Sequence, residues 1–114
     1  MNAHAAIDFI IRNSGDYAKA KAQRVLLEEF RKSKKALLMK EAMTKFEAVN
    51  AQEREAYSHP EYQELLKGLA AAIEVEEDLK WKLEAARMRT DVWRTEQATA
   101  RAEGRATELS LIHI

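Results

Sequence analysis

The side chains that could carry out chemistry are few in this sequence, and their spacing does not favour catalysis. The three histidines, His4, His59 and His113, stand near the start, in a predicted turn and near the end of the chain. None has a second ligand-type residue at a spacing typical of a metal site. His4 and Asp8 are one helical turn apart, which is more typical of a surface pair than of two metal ligands. The histidines therefore predict no metal site.

Carboxylates and nucleophiles lead to the same expectation. The acidic run EVEED, residues 74–78, could bind a divalent ion, but consecutive acids on a helix point in different directions. The sequence has no Gly-rich phosphate-binding loop and no context typical of a Ser nucleophile. It has no cysteine, which excludes disulfides and thiol catalysis and fits a reducing compartment. We therefore predict that the protein is not an enzyme and uses no cofactor.

Positive charge is concentrated in one segment of the chain. Residues 19–45 contain nine Lys or Arg and three Glu, a local charge of +6, whereas the formal net charge of the whole chain is zero. Nucleic-acid binding is one hypothesis for this segment, and an exposed mixed-charge helix face is the commoner alternative. Aromatic side chains on which bases could stack are sparse, since only Tyr17 and Phe30 lie nearby. The candidate nucleic-acid-binding residues are Lys21, Arg24, Arg31, Lys32 and Lys35.

The elements that must position these residues are predicted to be helices. The 114 residues are 46% hydrophobic and 33% charged, and they include only three glycines and one proline. Abundant Ala, Glu, Lys, Arg and Leu favour long helices, so the predicted fold class is all-α. No apolar stretch approaches the roughly 20 residues that span a bilayer, and the N-terminus lacks a signal core. We therefore expect a cytoplasmic protein without a membrane partner.

Turn and capping signals divide the chain into three predicted helices, over about residues 3–12, 16–50 and 60–103. The sequence NSG at residues 13–15 predicts a stop after a short N-terminal helix. Asp16 can then cap the second helix, because its side-chain oxygen can accept from free N–H groups of the first turn. The prediction is thus a short helix followed by a long helical hairpin.

The third predicted helix has the clearest start signal. Ser58 and Glu61 have capping-box spacing, and Pro60 falls in the first turn, where its missing N–H has no cost. His59 is expected at the cap. No break follows before Gly104, so this helix is predicted to be the longest.

An apolar repeat runs along the third predicted helix at alternating steps of three and four residues. Kept over so many turns, it predicts a left-handed coiled-coil seam, with the preceding helix as antiparallel partner. With a turn where the two helices meet, we expect Glu76 near Lys40 or Glu41. The same register places Trp93 near Arg24. The residues of the repeat are Tyr62, Leu65, Leu69, Ala72, Glu76, Leu79, Leu83, Ala86, Thr90, Trp93, Gln97 and Ala100.

A second apolar stripe lies on another face of the same helix, at positions i, i+4, i+7 and i+11. A two-helix hairpin cannot cover both faces, so we predict a further contact and expect a homo-oligomer. The alternative cover is the N-terminal helix, through Ile7, Ile10 and Ile11. The candidate protein interface is Trp81, Ala85, Met88 and Val92.

The segment FRKSKKALLMK, residues 30–40, combines the cationic and apolar features. We expect Leu37 or Leu38 to be buried. Lys32 and Lys35 are expected to remain largely exposed, because the cations and the apolar pair fall on separate parts of the helix surface. This segment is therefore predicted to be a packing helix with a cationic outer edge.

Three stretches of the chain resemble a family of small tailed-bacteriophage proteins: DYAKAKAQRVLLEEFRKSKKALLMKEA, AQEREAYSHPEYQELLKGL and VWRTEQATARAEGRAT. The resemblance spans about residues 5–107. It implies a protein of early gene regions that also contain recombination and single-strand-binding functions, in the cytoplasm of an infected bacterial host. It also implies that EAMTKFEAVN is a variable helix end or loop, since relatives are shorter around residues 42–50. The family has no established catalytic residues to carry over.

The last residues, LSLIHI, depart from the pattern of this family. An apolar run after a polar, glycine-broken end is typical of sequence foreign to the domain. We therefore expect a single helical domain over residues 1–107 and a disordered or non-native tail over residues 108–114.

These observations favour a non-enzymatic phage accessory protein that acts through helix-mediated protein–protein contacts, with DNA recombination or replication as its expected setting. Its expected partners are further copies of itself and a host or phage protein. Direct DNA binding through the cationic segment is one alternative, and inhibition of a host nuclease or defence protein is another. Salt dependence separates DNA binding from protein–protein contacts. Binding to phosphates weakens steeply with added salt, whereas binding through an apolar helix interface changes little.

Overall fold

The computed structural model describes residues 2–112. Three helices form the described chain: α1 spans Ala3–Ala42, α2 spans Val49–Ser58 and α3 spans Pro60–Ile112. The predicted all-α helical hairpin is confirmed. The short helix, however, lies between the two long ones and not at the N-terminus, so that part of the prediction is wrong.

The chain divides into two compact units. The central unit is Asp16–Leu79, and the terminal unit combines the residues up to Gly15 with those from Lys80 onward. Each unit contains part of α1 and part of α3. A single helical domain over residues 1–107 stays a prediction.

The predicted break at residues 13–15 is wrong, because α1 runs through them without interruption. Asn13 Nδ2 donates to the Phe9 carbonyl oxygen at 2.8 Å, and Ser14 Oγ donates to that of Ile11 at 3.5 Å. Polar side chains that bond back to the preceding turn can be accommodated inside a helix. Consequently Asp16 caps nothing here, and the boundaries 3–12 and 16–50 are replaced by one helix.

Helix α1 ends at Ala42, earlier than the predicted limit at residue 50, and residues 43–48 form a turn. Gln52, which is buried in α2, holds this turn in place. Its Nε2 donates to the carbonyl oxygens of Phe46 at 2.9 Å and Glu47 at 3.4 Å. A helix end within EAMTKFEAVN agrees with the expectation drawn from the family resemblance.

Helix α3 begins at Pro60 as predicted, but its cap differs from the expected capping box. The backbone N–H of Glu61 donates to His59 Nδ1 at 3.1 Å, so the histidine supplies the acceptor. Ser58 Oγ instead donates to the Glu55 carbonyl oxygen at 3.2 Å. The expected position of His59 at the cap is confirmed.

The apolar repeat of α3 forms the contact face between the long helices. Its positions from Tyr62 to Thr90 are buried or half-buried, whereas Gln97 and Ala100 are exposed. Helix α1 has a matching pattern of buried and half-buried positions at steps of three and four residues. These positions are Ala3, Ala6, Ile10, Asn13, Tyr17, Ala20, Arg24, Leu27, Arg31, Lys34 and Leu38.

The apolar core of the central unit lies at the turn end of the hairpin. Leu38, Ala56 and Tyr62 form a buried cluster, against which Met39 and Leu66 pack. This cluster brings together one residue from each of the three helices, so α2 contributes to the core and does not merely connect α1 to α3.

The predicted register of the hairpin is wrong. Glu76 forms an ion pair with Arg24 and not with Lys40. Trp93, predicted near Arg24, has its ring 6.2 Å from that of His4. The physical reason is helix α2. The sequence analysis assigned the first residues of α2 to the helix before it, so that helix was predicted too long. The predicted partners of α3 therefore lay several turns too close to the C-terminal end of that helix.

The end of α3 also differs from expectation. Residues 108–112 continue the helix, so disorder is wrong for them, and a non-native origin of this tail stays a prediction. Residues 113 and 114, with His113 among them, lie outside the described residues. Within the described part of the chain, no helix combines the length and apolarity needed to cross a membrane.

Candidate functional site

A buried carboxylate forms an ion pair with a half-buried arginine in the central unit. Glu76, with a relative exposure of 6%, accepts two hydrogen bonds from Arg24, one from Nε and one from Nη2, the latter at 3.1 Å. Arg24 Nη1 also donates to Glu28 Oε2 at 3.0 Å. This bidentate geometry is the strong form of an arginine–carboxylate contact.

Arg24 therefore has a structural role. Its hydrogen bonds to Glu76, and then to Glu28, raise the pKa of the guanidinium above its usual range. Arg24 occupies a seam position on α1, where it meets a carboxylate on the seam of α3. Glu76 is one of the polar residues of the seam repeat, and a polar residue at such a position can fix the register of two paired helices. Its partner is Arg24 and not the predicted Lys40 or Glu41.

A second candidate cation, Lys35, is also engaged within the chain. Its Nζ lies 3.0 Å from Glu53 Oε1 and 4.5 Å from the centroid of the Tyr57 ring. Tyr57 and then Glu53 raise the pKa of Lys35, and Lys35 holds the pKa of Glu53 below its usual range. Both acceptors belong to α2, so Lys35 joins α1 to α2. It is half-buried, and the expectation that it would be largely exposed is wrong.

The other three candidate nucleic-acid residues do not share one environment. Lys21 and Lys32 are exposed, whereas Arg31 is half-buried at a seam position. Lys32 Nζ lies 3.2 Å from Glu29 Oε1 in an exposed i, i+3 pair. The structure therefore divides the five candidates between the helix seam, the α2 contact and the surface, and it does not gather them into one cationic face.

The segment at residues 30–40 confirms one expectation. Leu38 is buried, with a relative exposure of 3%, and Lys32 is exposed. Leu37 is 54% exposed, so only one of the two leucines packs. Lys34, which was not among the candidates, forms an ion pair with Glu61 at 2.7 Å.

The candidate protein interface is uncovered in the terminal unit. Trp81 is 62% exposed, and the other members of this stripe are also exposed. The seam residues Leu83, Ala86 and Thr90, which lie on the other side of the helix, are buried or half-buried. The α3 stripe, as we name it, consists of Trp81, Ala85, Met88 and Val92.

The N-terminal part of α1 does not cover this stripe. Of the three isoleucines expected as the alternative cover, Ile7 and Ile11 are themselves exposed, and Ile10 is half-buried at a seam position of α1. Phe9 approaches only one edge of the stripe, where it lines a shallow depression with Ala85 and Ala86. Lys82 and Arg89 complete the lining of that depression. The exposed α3 stripe is thus bordered by a depression whose lining includes two cationic side chains.

The central unit has an apolar face that the sequence analysis did not single out. Leu26, Phe30 and Leu37 are exposed on α1, at i, i+4 and i+11. The same spacing rule that identified the α3 stripe could have found this α1 face. Beside it lie two shallow depressions between α1 and α3. One is lined by Phe30, Lys34, Pro60, Glu61, Glu64 and Leu65, and the other by Ala20, Gln23, Leu27, Gly68, Ala71, Ala72 and Val75.

Among the described residues, no group of three or more histidine, cysteine or carboxylate side chains could hold a metal ion. The acids of residues 74–78 illustrate the reason. Glu76 points into the helix seam and binds Arg24, whereas its neighbours Val75 and Glu77 are exposed.

No protein-family model, curated protein sequence or solved structure matches this chain.

Proposed function

We propose that the chain is a non-enzymatic accessory protein of a tailed bacteriophage that acts through helix-mediated contacts with other protein chains. DNA recombination or replication in the infected cell is its proposed setting. The phage setting rests on the family resemblance of the sequence. The mode of action rests on the exposed faces of its helices.

The observation that carries this proposal is the exposure of large apolar side chains at helical spacing. In the terminal unit these side chains form the α3 stripe, and in the central unit they form the α1 face. Contiguous apolar surface is costly to leave in water, and on soluble proteins it commonly marks an interaction site. An amphipathic helix from another chain has the complementary shape and chemistry for such a face.

Direct DNA binding receives less support from the positions of the cations. Arg24 and Lys35 already bind carboxylates of the same chain. Replacing them would remove structural contacts, and Arg31 is half-buried in the helix seam, so a variant that tests DNA binding should change only the exposed Lys21 and Lys32. Wild-type binding to single- or double-stranded DNA that weakens steeply with salt, and that is lost in this variant, would favour the DNA alternative.

Affinity capture from phage-infected cells tests the proposed function. The lysate is treated with nuclease, and the full chain is the bait. We expect specific phage or host proteins to be retained at high salt. The double variants Trp81→Glu/Met88→Glu for the α3 stripe and Leu26→Glu/Phe30→Glu for the α1 face remove apolar surface from one face each. At least one of them should lose these proteins.

Gln97→Glu provides the matched control. Gln97 is exposed on α3 but belongs to the seam repeat and not to the α3 stripe. This variant adds one charge to the same helix and should retain every partner. Identical sets of captured proteins for the wild type and both double variants would contradict the proposal.

A further inference from the structure

We propose that the α3 stripe is the docking surface for the α3 stripe of a second copy of this chain, with the two helices antiparallel. This inference rests on the proposed function, which assigns the exposed faces to protein contacts, and it names the partner for one of them. The partner and its direction follow from the sizes and charges of the residues along α3.

The C-terminal part of α3 has no helix beside it in the described structure. Helix α1 begins at Ala3, and the ring of His4 lies against that of Trp93, so α1 reaches no further along α3. Residues 94–111 are all exposed. A single helix of this length is marginal in water on its own, because most helical stability in proteins comes from packing. A second helix packed along this segment would therefore stabilise it.

The α3 stripe continues into this segment with the same spacing. The next positions, at alternating steps of three and four residues, are all small or apolar. They are Thr95, Thr99, Ala102, Ala106 and Leu109. The extended stripe thus covers residues 81–109, and its part from Trp81 to Ala106 is long enough for a coiled-coil contact of more than three heptads.

Side-chain size changes along the extended stripe. Trp81, Met88 and Val92 are large, whereas the residues from Thr95 to Ala106 are small. An antiparallel pair centred between Trp93 and Arg94 places large residues of one copy opposite small residues of the other. The resulting layers are Trp81 with Ala106, Ala85 with Ala102, Met88 with Thr99 and Val92 with Thr95, each occurring twice by the two-fold symmetry.

Charges beside the extended stripe fit the same register. On one flank, Lys82 faces Glu103 of the second copy, and Arg89 faces Glu96. On the other flank, Glu84 faces Arg105 of the second copy, and Asp91 faces Ala98. Every charged pair across this interface is attractive. Such pairs on the flanks of a coiled coil determine helix direction and partner choice.

The other arrangements produce like-charge contacts. A parallel pair in register places Asp91 of one copy beside Glu96 of the other and stacks Trp81 on its own copy. Sliding the antiparallel pair by one heptad towards the N-terminal side places Arg89 against itself. Sliding it the other way places Glu96 against itself. The register centred between Trp93 and Arg94 is the one that avoids these repulsions.

Disulfide cross-linking tests both the partner and the direction, because the chain has no cysteine of its own. Two single variants, Ala85→Cys and Ala102→Cys, are purified in full-length form, one of them with a removable tag so that the products differ in mass. Each is oxidised alone and then as an equimolar mixture. A disulfide requires Cα atoms within about 7 Å of each other.

We expect the mixture to form a covalent dimer of one Ala85→Cys chain with one Ala102→Cys chain. Each variant alone should remain uncross-linked, because the two copies of either position are roughly 25 Å apart in the antiparallel pair. Gln97→Cys, on the other side of the helix, is the matched control and should cross-link with neither variant. Circular dichroism should show wild-type helicity for all three variants.

Efficient cross-linking of Ala85→Cys with itself would overturn the antiparallel direction in favour of a parallel pair. An absence of cross-linking in every mixture, together with a monomer mass in light scattering, would overturn the second copy as partner. Because these experiments use only purified protein, they are independent of the lysate capture. A monomer that still captures phage or host proteins through the α3 stripe would refute this inference and leave the proposed function standing.

Discussion

Helix α3 carries two apolar stripes with the same spacing, and the described residues cover only one of them. The seam stripe packs on α1, and its members from Tyr62 to Thr90 are buried or half-buried. The α3 stripe stays open to solvent. Apolar spacing thus predicts where a helix makes contacts, whereas the identity of the partner depends on the polar residues placed among the apolar ones.

Polar residues differ clearly between the two stripes. The seam contains a buried carboxylate, Glu76, that an arginine on α1 satisfies with two hydrogen bonds. The α3 stripe itself contains no charged residue, and its charges lie on the flanks. The charge inside the seam selects a partner within the same chain. The charges beside the α3 stripe can select a partner in another chain.

The largest effect should come from the core at the turn end of the hairpin. Leu38→Ala should lower the free energy of unfolding by about 2 to 5 kcal/mol, because it leaves a cavity next to Ala56 and Tyr62. Leu37→Ala is the matched control, since Leu37 is largely exposed, and it should change stability little. Urea unfolding followed by circular dichroism measures both. Equal losses would contradict the assignment of Leu38 to the core.

The buried ion pair is the next target. Arg24→Gln should lower the thermal midpoint, because it leaves the buried carboxyl group of Glu76 with fewer partners. The double variant Arg24→Gln/Glu76→Gln should recover part of the loss, since it removes the buried carboxyl group that had lost its arginine. If the double variant lost more stability than the two single variants lose together, the pair would not act as a unit.

A smaller gain in stability is expected at Gly15. No glycine in the described chain has a positive φ, and a Cβ added at Gly15 meets nothing within 4 Å. Gly15→Ala should therefore raise the free energy of unfolding by about 1 kcal/mol, the difference in helix propensity. Thermal unfolding at a fixed concentration measures it. A loss of stability would indicate that α1 is broken there, as the sequence NSG first suggested.

The smallest effect concerns pH. Lys35 and Lys34 hold the pKa values of Glu53 and Glu61 below their ordinary value of 4.5. The folded chain consequently binds fewer protons than the unfolded chain in this range. The contribution to stability is present above pH 4.5 and is lost as the pH falls below it. Glu53→Gln should weaken this acid sensitivity in pH-dependent urea unfolding, and an unchanged profile would count against the pair with Lys35.

The sequence predicted the fold class and the seam of α3, because both depend on local composition and on a long periodic pattern. It misplaced the helix ends, because these depend on tertiary contacts. Residues 13–15 are typical of a helix stop, yet packing along α3 overrides the local preference. Helix α2 is short and was taken for the end of the preceding helix, and this one error moved the whole predicted register.

The candidate residues fared unevenly for a similar reason. The α3 stripe was recognisable because its members lie outside the seam repeat of the same helix. The pairing of Arg24 with Glu76 was not recognisable from the sequence, because predicting it requires the correct register of α1 against α3. A cationic residue in a charge-rich segment usually lies on the surface. For Arg24, the seam pattern of α1, at steps of three and four residues, instead indicates a position in the helix contact.

Self-association through the α3 stripe is the central claim, and light scattering over a range of concentrations tests it most directly. The wild type should have twice the monomer mass of 13.1 kDa. Trp81→Glu/Met88→Glu should reduce the mass to that of the monomer with unchanged helicity, because it places charges in the core of the pair. Leu26→Glu/Phe30→Glu, on the α1 face, should stay dimeric. A wild type that remains monomeric at high concentration would contradict the account.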